Sequence, residues 1–208
     1  MVVLLTAAAV VAAAALLTKA TEPEGQQVAI VGDSITVLSA NQIEVALARQ
    51  HTDIEARMGA TVGDMVPYAE PLAAPPPRQV VINLGTNDAL HGTSLAETSD
   101  DLTRMVALFP RAECIHLVTV NTHMHPEDGG VTAQRAKAVN DVIGRFVDAD
   151  ARIDTIDWDG IVARSLDDSG TSPLISPDTV HPTPDGSAVL ARAIGSAVSG
   201  CGRPWKFW

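Results

Sequence analysis

From residue 26 onward, short apolar, β-branched runs alternate with longer stretches of helical periodicity, and this pattern constrains the fold more than any other feature. Residues 27–31 (QVAIV), 53–58, 79–84 (QVVINL), 114–120 (CIHLVTV) and 152–157 read as five strands. Residues 34–50, 61–73, 94–108, 132–147 and 184–198 read as helices. Ser94 and Glu97 have the spacing of a capping box, and Pro184 suits a first helical turn. Pro67 is expected to interrupt its helix, and Pro75-Pro76-Pro77 forms a stiff extended connector too short to separate domains. Strands alternating with helices dictate βαβ units and a mostly parallel sheet. These strands are apolar at nearly every position, as required when helices cover both faces.

The chain has 208 residues and a net charge of −11. That length fits one domain with a core of its own, needing no metal or disulfide staple. The acidity argues against nucleic acid and anionic membrane surfaces as partners, since both attract basic patches. Residues 2–17 are apolar except for Thr6, shorter than the roughly 20 residues of a spanning helix. Thr18-Lys19-Ala20 follows as a loose cleavage site. Residues 1–20 are therefore expected to be a signal peptide or short membrane anchor, and 26–200 the folded domain. The expectation is a monomer, secreted or in the cell envelope, with no other membrane contact. Cys114 and Cys201 either pair in an exported protein or stand as a buried residue and a free thiol.

In open parallel sheets, ligands sit beyond the carboxyl ends of the strands. Strand one ends Gly32-Asp33-Ser34. A serine there is either a helix N-cap or a hydroxyl exposed above the sheet, with its N–H at a helix N-terminus that favours an anion. Strand two ends Met58-Gly59, where a glycine N–H can approach a ligand closely, and Gly63 competes for that role. Strand three ends Gly85-Thr86-Asn87-Asp88, whose Asn amide can donate to an oxyanion. Finally, Asp178 and His181 lie three residues apart on a loop stiffened by Pro177, Pro182 and Pro184. A histidine can take a serine proton, and a carboxylate can orient the histidine. Of the other histidines, His123 and His125 resemble a metal pair but lack a third ligand, so no metal or cofactor is expected. They follow strand four and could rim a pocket. His116 is expected to be packed or at an edge.

Taken together and in this order, the four blocks resemble the SGNH hydrolases, the GDSL-like lipases and esterases. The resemblance runs from residue 28 to about 198. It implies a flavodoxin-like three-layer α/β/α sandwich with a five-stranded, mostly parallel sheet. It implies Ser34 as nucleophile, His181 as base, Asp178 as its orienter, and Ser34, Gly59 and Asn87 as oxyanion hole. Ile156-Asp157-Trp158, Val120-Asn121-Thr122 and Asp178-Thr179-Val180-His181-Pro182 look like SGNH domains linked to cell-wall O-acetyltransferases. The expected activity is hydrolysis of short-acyl esters of a small molecule or glycan through an acyl-enzyme. The alternatives are O-acyl transfer to envelope glycan and a catalytically silent glycan-binding module. Thr36, two residues after Ser34, excludes the glycine of the α/β-hydrolase nucleophile elbow.

Overall fold

The computed structural model describes residues 27–124 and 130–202. The expectations for residues 1–20 and for His125 fall outside them. Five parallel strands form one sheet: β1 (Gln27–Gly32), β2 (His51–Ala56), β3 (Gln79–Asn83), β4 (Cys114–Val118) and β5 (Ile153–Ile156). Their spatial order is β2-β1-β3-β4-β5, the flavodoxin-like order whose direction of winding reverses between β1 and β3. The helices are α1 (Ser34–Ala46), α2 (Val62–Ala69), α3 (Thr86–His91), α4 (Leu95–Ala107), α5 (Val131–Ala149), α6 (Trp158–Ala163) and α7 (Pro184–Gly200). Among the described residues, no helix is long and apolar enough to cross a membrane.

The two-residue period of the strands divides the core. Ala29, Val31, Val80, Ile82, Ile115 and Leu117 face one way, against Val62 and Met65 of α2, Leu102 and Met105 of α4, and Val139 and Val142 of α5. Val28, Ile30, Val81 and Val118 face the other way, against Ile35 and Ile43 of α1, Trp158 and Val162 of α6, and Leu190 and Ile194 of α7. Each fully buried aliphatic side chain stabilises the fold by about 1.5–3 kcal/mol. The three-layer sandwich thus follows from central strands that are apolar on both faces.

The main departures from the sequence reading are local. Pro67 lies inside α2 without ending it, and a 3₁₀ turn, Glu70–Ala73, completes that segment. Helix α1 stops at Ala46, short of residue 50. The six-residue helices α3 and α6 were not anticipated. They span fewer than two turns, too short for a 3.6-residue period to register. The Ser94 hydroxyl caps α4 by accepting from the Glu97 N–H, while a reciprocal capping box forms at Thr61–Asp64, opening α2. Cys114 and Cys201 form a disulfide that ties the end of α7 to the start of β4. His116 is fully buried in β4, its Nδ1 2.5 Å from Asp154 and its Nε2 3.1 Å from Gln79.

Candidate active site

The reversal between β1 and β3 places the β1–α1 and β3–α3 turns side by side, where an open sheet leaves a crevice for ligands. Ser34 is the first residue of α1, and Asp33 caps that helix by accepting from the Ile35 N–H at 2.9 Å. The cap is therefore the aspartate, which leaves the neighbouring hydroxyl for other work. Ser34 is 4% exposed, and its Oγ lies 3.0 Å from His181 Nε2. His181 Nδ1 lies 2.7 Å from Asp178 Oδ2. With Nδ1–H donated to the carboxylate, Nε2 presents its lone pair to the Ser34 hydroxyl, the tautomer a general base needs.

The loop that delivers His181 is built from local bonds. Asp178 Oδ1 accepts from the Val180 and His181 N–H groups, at 3.0 and 2.9 Å. The Ser176 N–H donates to the His181 carbonyl at 2.8 Å, and the Thr183 N–H to the Leu174 carbonyl at 2.9 Å. Thr179 takes a left-handed φ of 62°, unusual for a β-branched residue, and its carbonyl accepts from the Asn121 amide at 3.2 Å. Burial pushes the Asp178 carboxyl upward, but the hydrogen bonds from the His181 ring and from the His181 and Val180 N–H groups outweigh it and hold the group below its ordinary value.

Asn87 lies in the first turn of α3, which opens after Gly85 at φ 110°. An added Cβ on Gly85 would stand 2.9 Å from a Val139 methyl, so both backbone angle and space call for glycine. The Asn87 amide donates to the Ala60 carbonyl at 3.0 Å and to Asp33 Oδ2 at 3.3 Å. It therefore joins the β1–α1 turn to the loop after β2. Gly59 sits in that loop, exposed, with φ 73° and nothing near its absent Cβ. Gly63 lies within α2 instead, where an added Cβ would stand 2.3 Å from the Asp101 carboxylate of α4. Packing thus accounts for Gly63, whereas Gly59 precedes Ala60, whose carbonyl accepts from the Asn87 amide.

Sequence reasoning assigned no role to Asp33 or Asp88. The Asp33 side chain is fully buried, and that burial pushes its carboxyl up to about 7, although the Ile35 N–H and the His181 charge pull it down. Asp88 accepts from the Val62 N–H at 3.0 Å and the Thr98 hydroxyl at 3.3 Å, which fixes the start of α2 relative to α4. Burial raises its carboxyl too. Both residues lie within the recognised blocks, but their bonds to Asn87 and Val62 span 54 and 26 residues, too far for spacing to reveal. His91 ends α3 and is exposed, while His123 lines a cavity beyond β4.

A parallel sheet of this order, with a serine at its reversal point bonded to a histidine that a carboxylate holds, defines a flavodoxin-like serine hydrolase. Residues 30–189 match the model of the GDSL-like lipase/acylhydrolase family, and the chain belongs to that family of ester hydrolases. No curated protein matches the sequence at a significant level. Several solved structures share the fold. One is a putative acylhydrolase from Bacteroides fragilis, at TM-score 0.70 and 21% identity, covering 86% of this chain and 88% of that one. The C-terminal catalytic domain of Streptococcus pneumoniae peptidoglycan O-acetyltransferase A aligns at TM-score 0.67 and 18% identity, covering 85% and 94%. An acetylxylan esterase from Geobacillus stearothermophilus aligns at TM-score 0.63 and 18% identity, covering 85% and 96%.

Proposed function

We propose that Ser34, His181 and Asp178 are the catalytic residues of this ester hydrolase, acting on short, acetyl-like acyl groups through an acyl-enzyme. The observation that carries the assignment is the relay of 3.0 Å from Ser34 Oγ to His181 Nε2 and 2.7 Å from His181 Nδ1 to Asp178. Ser34 Oγ attacks the ester carbonyl as its proton passes to Nε2, and Asp178 stabilises the imidazolium. The oxyanion is met by the Ser34 N–H, in the first helical turn where such groups lack intrahelical partners, by the Gly59 N–H, and by the Asn87 amide once one of its two N–H groups exchanges Asp33 Oδ2 for the substrate oxygen. The tetrahedral species collapses with cleavage of the carbon–alkoxy bond, and His181 returns the proton to the departing alcohol. Water then attacks the acyl-enzyme with His181 again as base, releasing the acid and the free serine.

Few aromatic side chains, 3% of the chain, favour short acyl groups over a lipid platform. The Cys114–Cys201 disulfide supports export, since such bonds persist in oxidising compartments. In this reading residues 1–20 serve as the leader or anchor, residues 26–200 work as a monomeric enzyme, and the protein is secreted or held at the cell envelope. A second reading, O-acyl transfer to a glycan hydroxyl, uses the same acyl-enzyme. The likeness to the S. pneumoniae O-acetyltransferase domain favours keeping it in view.

The decisive experiment is p-nitrophenyl acetate turnover together with fluorophosphonate labelling. Ser34→Ala is expected to lose both, and a labelled Ser34→Ala protein would refute the nucleophile. Product analysis with a sugar acceptor present separates transfer from hydrolysis.

A further inference from the structure

A cavity of about 470 Å³ lies beside the loop that carries Asp178 and His181, and the steps above do not use it. This is within the range of small-ligand sites. Its walls come from α6, from the segment after that helix, from Asn121 and His123 beyond β4, and from Ser176, Pro177 and Thr179 of the catalytic loop. Among the described residues, no Asp, Glu, Lys or Arg lines it, so a charged ligand would meet no counter-charge from them. Apolar surface comes from Val162, Leu166 and Ile175.

The polar groups of the wall both donate and accept: Asn121 and His123 carry N–H groups, while two of the hydroxyls have committed their protons elsewhere. Ser176 Oγ donates its proton to the Pro182 carbonyl at 3.4 Å, and Ser169 Oγ donates to Asp167 at 2.6 Å. A hydroxyl whose proton is committed to the protein offers a ligand only lone pairs. The complementary ligand is neutral, carries several hydroxyl groups that can both donate and accept, and has an apolar C–H face. A sugar ring has these properties together.

The chemistry gives the cavity its direction. When the carbon–alkoxy bond breaks, the leaving oxygen takes its proton from His181 Nε2, so the alcohol half of the ester must lie on the histidine side of the scissile bond. The acyl half stays with Ser34, Asn87 and the loop after β2. The cavity adjoins the histidine loop, and Thr179 in its wall is two residues from His181.

We infer that this cavity is the alcohol-side subsite and takes a neutral, polyhydroxylated leaving group such as a sugar ring; the inference rests on the esterase reading. His123 contributes an imidazole to the wall, and Leu166 part of the apolar face.

The test compares 6-O-acetylglucose with p-nitrophenyl acetate, whose leaving group is a flat phenol. The readout is the ratio of their kcat/KM values, sugar ester over phenyl ester. His123→Ala removes a hydrogen-bonding wall group and is expected to lower that ratio about fivefold, the worth of one such bond. Leu166→Trp, which fills the cavity, should lower it further, mainly through KM for the sugar ester. A wild-type ratio in His123→Ala and in folded Leu166→Trp overturns the inference. If Leu166→Trp fails to fold, His123→Ala decides alone. A wild-type enzyme inert toward both esters sinks the esterase reading instead. The cavity is then tested by titrating methyl glucoside and following the His123 ring resonances, where no perturbation overturns it.

Discussion

The turn that carries Ser34 and the loop that carries His181 hold their side chains by different means. The turn is part of the sheet. Asp33 and Ser34 are 0% and 4% exposed, and the Asp33 N–H donates to the Asn83 carbonyl of the neighbouring strand at 3.3 Å. The loop stands at the surface, with the His181 and Asp178 side chains 30% and 51% exposed. Its shape rests on a bridge between Ile175 and Pro182 and on the Asx-type bonds of Asp178. In the turn, burial fixes the nucleophile and imposes an electrostatic penalty on its neighbours. In the loop, short-range hydrogen bonds both fix the base and keep its carboxylate ionised against partial burial. A nucleophile needs one fixed position, whereas a base must also change charge, which is easier near water.

Four measurements would break or sharpen this contrast. The largest effect tests whether the two regions act as one unit. Ser34→Ala and His181→Ala should each lower kcat by about 10⁴-fold or more, and the double variant should be no worse than either, since groups acting together are non-additive. Multiplicative losses for p-nitrophenyl acetate would show that the regions work separately.

Next comes the penalty inside the turn. The Asp33 carboxyl ionises near 7 when folded and near 3.8 otherwise, so the folded state binds the extra proton between those values. Stability is therefore full below about pH 4 and falls as pH rises through 7, by on the order of 4 kcal/mol from this group. Asp33→Asn keeps an N-cap residue and should flatten this contribution, making the variant the more stable protein at pH 8. Urea unfolding at pH 5 and pH 8 checks it. A variant with the wild-type pH slope would mean that the Asp33 charge is not what burial penalises.

Third, Asn87→Ala removes the amide that joins the turn to Ala60, and with it one oxyanion donor. The expected loss is about 10²–10³ in kcat, with fluorophosphonate labelling retained. A wild-type rate would leave Asn87 a purely structural tie between the two loops.

The smallest effect concerns the catalytic loop. Thr179 holds φ 62°, which costs a residue with a Cβ about 1–2 kcal/mol relative to glycine. Thr179→Gly should relieve that strain, while the added freedom of the unfolded chain offsets part of the gain. We expect a net stabilisation of at most about 1 kcal/mol in thermal unfolding, and a modest fall in kcat as the loop loosens. Lower stability would show that the threonine side chain contributes more than its backbone strain removes.

Much of this molecule is legible from the chain alone. The three central strands β1, β3 and β4 register clearly because burial on both faces demands apolar runs, whereas the edge strands β2 and β5 carry polar residues. Ser34, Asn87, Asp178 and His181 stand out because each sits in a compact local block. The Gly59 and Gly63 alternatives could not be separated in that way. Both follow the second strand, and only the contact with Asp101 on α4 reveals that Gly63 serves packing. Asp33 looked like an ordinary neighbour of the serine, since its bond to Asn87 spans 54 residues.

The sequence by itself determined the layered α/β architecture, the chemical groups available at the strand ends and the closeness of Asp178 to His181. These depend on local periodicity and on residues within a few positions of one another. Only the tertiary structure decided that the hydroxyl meets the imidazole across 147 residues, that Asn87 bridges two loops, and that Cys114 finds Cys201. Such pairings are set by strand order and by the direction of each crossover, which bring distant segments together through burial that no short window of sequence records.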